Sequence, residues 1–302
     1  MSNSLYAQPK KQLTVLSSWS ILEDVVKQVG GTHIRVISLA PRGIDLHHFK
    51  LTPSDHIRII NADWIVWLGL NLEPWLQSSL KGIPKEKHLQ LGKQLANLLL
   101  IEERNREPGL KDIDKPSEHD HEGKIDPHIW HDVEMIIQVC QLIADGLSKK
   151  DPEHAVVFQK NADLYIEKLK SLHQWVHQEL SFIPASHRLF VTSHQAFEYF
   201  GRAYDFETIS PRGLNSSNQA SPRVLQQIIT KLREREVKVI FQEAHVNPAL
   251  LKQIARGTDI VIQEELLTGN LARFGEKGAT YEGFIRSNVQ QIANAFKSYL
   301  NI

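Results

Sequence analysis

The sequence has one cysteine, no net charge and no long apolar run, and each of these absences excludes a class of protein. Cys140 alone can form neither an intramolecular disulfide nor a thiolate zinc site, and its place in the apolar run 133–147 predicts a buried thiol. The 35 basic and 35 acidic residues leave no electrostatic footprint for nucleic acid. Because no apolar run approaches the roughly 18 residues that cross a bilayer, the body of the chain is expected to be soluble.

Familiar catalytic motifs are missing as well. The chain has no Gly-x-Ser-x-Gly elbow, no Gly-rich phosphate loop and no His-Glu-x-x-His pair, so nothing marks a nucleophile. The N-terminus also lacks the apolar segment of a signal peptide. The absence of the catalytic motifs favours a binding protein over an enzyme.

Strand-like and helix-like segments alternate along the 302 residues, which predicts an α/β fold with mainly parallel sheets flanked by helices. Strands are expected at 12–17, 34–39, 63–70, 188–193, 237–242 and 260–263. The charged, Pro- and Gly-containing stretch 102–124 predicts a mobile surface loop, in which His119 and His121 are only a weak signal of metal capture.

One long amphipathic helix is predicted between residues 151 and 182, roughly 45 Å at 1.5 Å per residue. Its apolar positions recur at spacings of three and four: Phe158, Ala162, Tyr165, Leu169, Leu172, Val176 and Leu180. A helix of this length is expected to join two lobes. We therefore expect an N-terminal lobe at 12–150, the linking helix at 151–183 and a C-terminal lobe at 184–302.

Three histidines lie at predicted junctions between elements and loops, His47, His128 and His194, and open α/β sheets bind ligands at the carboxyl ends of their strands. His128 lies in a turn set by Asp126-Pro127, and imidazole is a common ligand of divalent transition metals. Three histidines and one carboxylate form a common kind of tetrahedral zinc site. Two ligands would come from each half of the chain, which predicts a metal site in the cleft between the lobes.

Other histidines are expected to play lesser roles. His48 would point away from His47 in an extended segment, and His131 would be a supporting or surface residue. His173 and His177, four residues apart on the long helix, could hold a metal together but are expected to occupy a solvated face. The carboxylate candidates are Glu243, Glu264 and Glu265, each placed near a predicted strand end.

The chain resembles the metal-binding solute-binding proteins of ABC importers for zinc and manganese, the ZnuA/TroA/PsaA-like cluster. The segments that carry the resemblance stand in family order, at 45–55, 61–75, 126–130, 192–200, 240–243 and in the helix with Tyr281 and Asn288. The resemblance implies two α/β lobes joined by a rigid helix, with a metal bound between them. It places the ligand role on His47, His128 and His194.

The fourth ligand of the family is usually an aspartate after a late strand. The matching stretch here, 263–267, has glutamates, and we expect Glu264 to be that ligand, because Leu266 then occupies the family's apolar position. Glu265, Glu243 or a water stay open as alternatives. His194 stands where manganese-type members have a carboxylate, so Zn²⁺ is expected as the bound metal, with Mn²⁺ or Fe²⁺ as the alternative.

The function that the resemblance implies is an extracytoplasmic receptor, expected to be monomeric, that captures zinc and hands it to an ABC transporter permease in the membrane. Localisation to the periplasm or the outer cell surface follows from the family alone. Two alternatives come from other classes. A metal-dependent hydrolase would use the same histidines with Glu243 or Glu265 as general base, and a surface adhesion module would use the metal only to maintain its fold.

Overall fold

The computed structural model describes residues 12–100, 125–211, 222–256 and 258–302, apart from the side chains of Val224 and Glu264. These residues form two α/β lobes with parallel strands flanked by helices, which confirms the predicted fold class. The predicted loop at 102–124, with His119 and His121, lies outside the described residues, as does Gly257. Among the helices of the described ranges, none combines the length and apolar character needed to cross a membrane.

The first lobe is built on a four-stranded parallel sheet of order β2-β1-β3-β4. Its elements are β1 (Leu13–Ser17), α1 (Ser20–Gly30), β2 (Ile34–Ser38), α2 (Pro53–Asn61), β3 (Trp64–Trp67), α3 (Pro74–Gln77) and β4 (His88–Gln90). Thr52 and Asp55 form a reciprocal capping box at the start of α2. The four residues of β3 are buried, as an internal strand of a parallel sheet requires.

Two longer helices follow in the sequence, α4 (Val133–Lys150) and α5 (Ala155–Leu180). The 26-residue α5 is the long helix predicted from the sequence, and a short 3-10 turn at Pro152–His154 precedes it. Its buried residues are the seven apolar positions predicted to form one face. The Cys140 thiol is buried in α4, as expected.

The second lobe has two parallel strand pairs, β5-β6 and β7-β8. Its elements are β5 (Leu189–Val191), α6 (Glu198–Tyr204), β6 (Glu207–Ile209), α7 (Pro222–Glu234), β7 (Val239–Glu243), α8 (Ala249–Ala255), β8 (Val261–Leu266) and α9 (Tyr281–Leu300). The rings of Phe190 and Phe241 stack 4.7 Å apart and hold β5 against β7.

Strand β8 is longer than predicted. A register shift after Phe241 pairs Glu243 with Leu266, so the strand continues to Leu266 instead of ending at Gln263. Glu264 and Glu265 therefore lie within the strand and not at its end, which corrects the sequence-based expectation. The loop that faces the first lobe begins at Leu267.

The loop after β8 is hydrogen-bonded to α9 and to the first lobe. The Asn288 side chain on α9 binds the backbone N–H and C=O of Leu267, at 2.9 and 2.7 Å. From the first lobe, Arg42 donates to the carbonyl oxygens of Ala272 and Ala279, at 3.0 and 2.6 Å. The largest hydrophobic core cluster runs without interruption from β1 to α9. The loop is thereby held against the first lobe at a defined position.

Candidate metal centre

His47, His128 and His194 come together between the two lobes. One ring nitrogen from each lies within 4.8 Å of the others, and Nε2 of His47 is 3.3 Å from Nε2 of His128. Within the described ranges, no other group of three histidine, cysteine or acidic side chains converges in this way. The three predicted histidines therefore meet at one point, where their nitrogens have the spacing to hold one metal ion.

His47 is positioned by the residue that caps its turn. It lies in a 3-10 turn, Leu46–His48, and the Asp45 side chain accepts from the His47 backbone N–H at 2.9 Å. The other Asp45 oxygen lies 2.9 Å from Nδ1 of His48, whose side chain is exposed. The same aspartate thus turns the two adjacent imidazoles apart, and only His47 reaches the cluster.

Asp126 positions His128 in a similar way. Its Oδ1 accepts from both the backbone N–H of His128, at 2.9 Å, and its Nδ1–H, at 2.8 Å. The Asp126 side chain is fully buried, and burial raises its pKa to about 7. Because Nδ1 is used for this bond, Nε2 of His128 is left to face the cluster.

Glu243 at the end of β7 fixes His194 beyond the end of β5. Its Oε1 accepts from the Ser193 N–H, the Ser193 hydroxyl and the His194 N–H, at 2.8, 2.6 and 3.0 Å. Its Oε2 lies 2.5 Å from Nδ1 of His194. This fully buried carboxylate joins two strands of the second lobe and directs Nε2 of His194 toward the cleft.

The local electrostatics keep two of the three imidazoles neutral. Burial, followed by the neighbouring His128, lowers the pKa of His47 to about 3. Burial and then His194 lower the pKa of His128 well below its ordinary value. Burial alone would lower the pKa of His194, but the Glu243 carboxylate raises it above its ordinary value. Burial alone would raise the pKa of Glu243, and His194 lowers it instead.

Mostly apolar residues surround the three histidines. The cavity wall includes Ile44, Leu46, Leu72, Trp130, Val246 and Leu267. The loop after β8 supplies Thr268, Gly269 and Asn270 to the same wall. An apolar wall excludes water and strengthens the interaction of an ion with the imidazoles.

The sequence analysis missed one residue at this cavity. His245 lies two residues after Glu243, in a turn with a positive φ of 65°, and its exposed side chain lines the cavity rim. Its place two residues after the end of β7 is the signal in the sequence that marks it.

The carboxylate candidates have different surroundings. Glu243 is engaged with Ser193 and His194, as described above. Glu265 is exposed and accepts from Nε2 of Gln242 at 2.6 Å. The side chain of Glu264 lies outside the described part of the structure.

The remaining histidines named from the sequence do not join the cluster. His131 is fully buried and packs between the rings of Phe197 and Phe284, with ring centroids 4.2 and 5.6 Å away. It supports the core next to His128 and does not lie at the surface. His173 and His177 face one another on α5.

Comparison with known proteins identifies relatives along nearly the whole chain. The sequence model of the family described as "ZnuA: Zinc-uptake complex component A periplasmic" matches residues 15–295. Manganese-binding lipoprotein MntA of Bacillus subtilis (strain 168) is 30% identical over 294 residues, covering 95% of this chain and 90% of the relative. Metal ABC transporter substrate-binding lipoprotein SloC of Streptococcus mutans is 29% identical over 284 residues, covering 94% and 90%.

Solved structures show the same architecture. The periplasmic zinc binding protein TroA from Treponema pallidum superposes with a TM-score of 0.82 at 25% identity, covering 94% of this chain and 99% of that one. Fe(III)-bound YtgA from Chlamydia trachomatis gives a TM-score of 0.78 at 28% identity, covering 94% and 97%.

Proposed function

The chain belongs to the ZnuA family and is a substrate-binding protein of a metal ABC transporter, and from this premise we propose that it captures Zn²⁺ between its lobes and delivers it to a membrane permease. The family consists of receptors and not of enzymes. The observation that carries the proposal is the convergence of His47, His128 and His194 on one point.

The choice of zinc rests on the donor set. Three imidazoles suit zinc, whereas manganese favours oxygen-rich sites. The names of the relatives do not decide the matter, because they include a manganese-binding protein, a zinc binding protein and an Fe(III)-bound protein. Mn²⁺ or Fe²⁺ is the alternative cargo.

For the fourth ligand we propose Glu264. Glu243 is committed to Ser193 and His194, and Glu265 is exposed and bound to Gln242. Glu264 lies in β8, the strand that leads into the loop on the cavity wall. A water molecule is the alternative in this position.

The position of the site between the lobes bears on how the metal is released to the permease. We propose a monomeric receptor on the extracytoplasmic side, divided into lobes at 12–150 and 184–302 with the linking helix at 151–183. The hydrogen bonds from Arg42 to the loop after β8 support limited movement of the lobes, with release of the metal driven by docking to the permease.

The test is a competitive titration of the metal-free protein with zinc and manganese, together with measurement of the metal content. The wild type is compared with His194→Glu, and His187→Glu makes the same change at a half-buried histidine that does not line the cavity. We expect one tightly bound zinc per chain, with selectivity shifted toward manganese only in His194→Glu. Absence of stoichiometric binding of either metal would overturn the proposal.

A further inference from the structure

Two histidines outside the metal centre face each other near the C-terminal end of α5. His173 and His177 lie one helical turn apart, and their Nε2 atoms are 3.2 Å from one another. Their ring centroids are 4.7 Å apart and the planes are nearly perpendicular, at 79°. His177 is exposed and His173 is half-buried, so the space beside the two nitrogens is open to solvent.

The separation of these nitrogens is that of two ligands on one metal. Zinc–nitrogen bonds are about 2.0–2.1 Å long, so two of them at a tetrahedral angle place their nitrogens about 3.3–3.4 Å apart. In the centre between the lobes, the Nε2 atoms of His47 and His128 are 3.3 Å apart. The α5 pair therefore has nearly the spacing that the same chain uses in its principal site.

A buried tyrosine orients the pair. Nδ1 of His173 lies 3.3 Å from the Tyr204 hydroxyl, and the Tyr204 ring contacts both imidazoles, at centroid distances of 5.4 and 5.1 Å. The Tyr204 side chain is nearly completely buried, so its own position is set by the core. When Nδ1–H of His173 donates to this hydroxyl, Nε2 keeps its lone pair toward His177, an arrangement typical of supporting groups around metal ligands.

The chemistry of the pair also selects the class of ion. Burial, followed by the neighbouring His177, lowers the pKa of His173, so this imidazole is neutral at neutral pH. Imidazole ligands suit zinc, nickel and copper, and not manganese or magnesium. In the metal-free protein the same 3.2 Å separation suits an Nε2–H that donates to the other Nε2, so metal binding moves that proton to Nδ1 of the donating ring.

We propose that His173 and His177 form a second, solvent-accessible site for a divalent transition metal of the zinc, nickel and copper class, with water completing the coordination. Neither residue lines the cavity between the lobes, so the second site is separate from the principal one. With two protein ligands in place of at least three, it binds more weakly than the principal site.

The test is equilibrium dialysis of the full chain against increasing free zinc, with zinc per chain measured in the wild type, His177→Gln and His56→Gln. His177 is exposed on α5 and His56 is exposed on α2, so the second change is a matched control. We expect the wild type to bind one zinc tightly and a further zinc at higher free concentration. His177→Gln should weaken that further binding by at least about tenfold and leave the tight binding unchanged.

Two results would overturn the proposal. The first is equal zinc uptake by His177→Gln and the wild type at every free zinc concentration. The second is an equal loss in His56→Gln, which would show that exposed histidines bind zinc without a defined pair. Because tight binding is recorded in the same experiment, failure of this site is distinguished from failure of the proposed transport function.

Discussion

Replacing Glu243 with glutamine tests how the second lobe prepares His194 for metal. The carboxylate uses Oε1 to accept three donors from Ser193 and His194 and places Oε2 2.5 Å from Nδ1 of His194. The glutamine oxygen can keep the Oε1 contacts, so the fold is expected to persist. Its amide N–H₂ would then meet Nδ1 of His194 as a donor, and this imidazole would have to move its proton to Nε2.

The magnitude follows from this change of tautomer. Metal binding needs the lone pair of Nε2, so the proton must return to Nδ1, where it faces the amide donor instead of a carboxylate. Loss of a hydrogen bond to a charged group costs about 1.5–3 kcal/mol. We therefore expect zinc affinity to fall roughly 10- to 100-fold in Glu243→Gln.

The assay is competition with a chelator of known zinc affinity at alkaline pH, where protonation of His194 competes least with the metal. Glu198→Gln is the control, because Glu198 is a partly buried carboxylate that accepts from the Thr208 hydroxyl and does not line the cavity. Zinc affinity of Glu243→Gln within about twofold of the wild type, or an equal loss in Glu198→Gln, would refute the reasoning.

Two further predictions concern carboxylates. We expect Glu264→Gln to weaken zinc binding by about tenfold or more, while Glu265→Gln leaves it unchanged, in the same competition assay; equal affinities of the two variants would favour water as the fourth ligand. Burial raises the pKa of Glu73 from 4.5 to about 7, so the folded state holds this proton more tightly than the unfolded state. The associated stability is present below about pH 4.5 and is lost as pH rises through 7, about 3 kcal/mol in all. Denaturant unfolding across this pH range should show that the free energy of unfolding of the wild type falls with rising pH relative to that of Glu73→Gln. Parallel curves of unfolding free energy against pH would contradict the prediction.

The sequence was most informative where a pattern repeats over many residues. The apolar positions of α5 recur over its 26 residues, and the same seven residues are buried in the structure. His47 and His194 could be found because each comes after a strand, and parallel strands bring their carboxyl ends to one edge of a sheet. That rule places His47 and His194 without any knowledge of the tertiary contacts. His128 could be found because the Asp126-Pro127 turn holds it at the edge of an element.

Short elements and long-range contacts could not be predicted. Strands β4 and β6 have three residues each, too few for a periodic pattern, and form only through pairing with a neighbouring strand. The end of β8 depends on a register shift against β7, which is a property of two strands together. The engagement of Glu243 with Ser193 spans 50 residues of sequence, and nothing local to either residue indicates it.

The uninterrupted core from β1 to α9 has a consequence for how this receptor can be divided. Separating the lobes within α5 would expose apolar side chains on both fragments, because Phe158 and Val176 belong to the same core cluster as Val15 and Phe296. The chain is therefore one folding unit that carries two lobes. Neither lobe is a transferable module, and insertions or fusions to this protein belong at exposed loops and not at the boundary between the lobes.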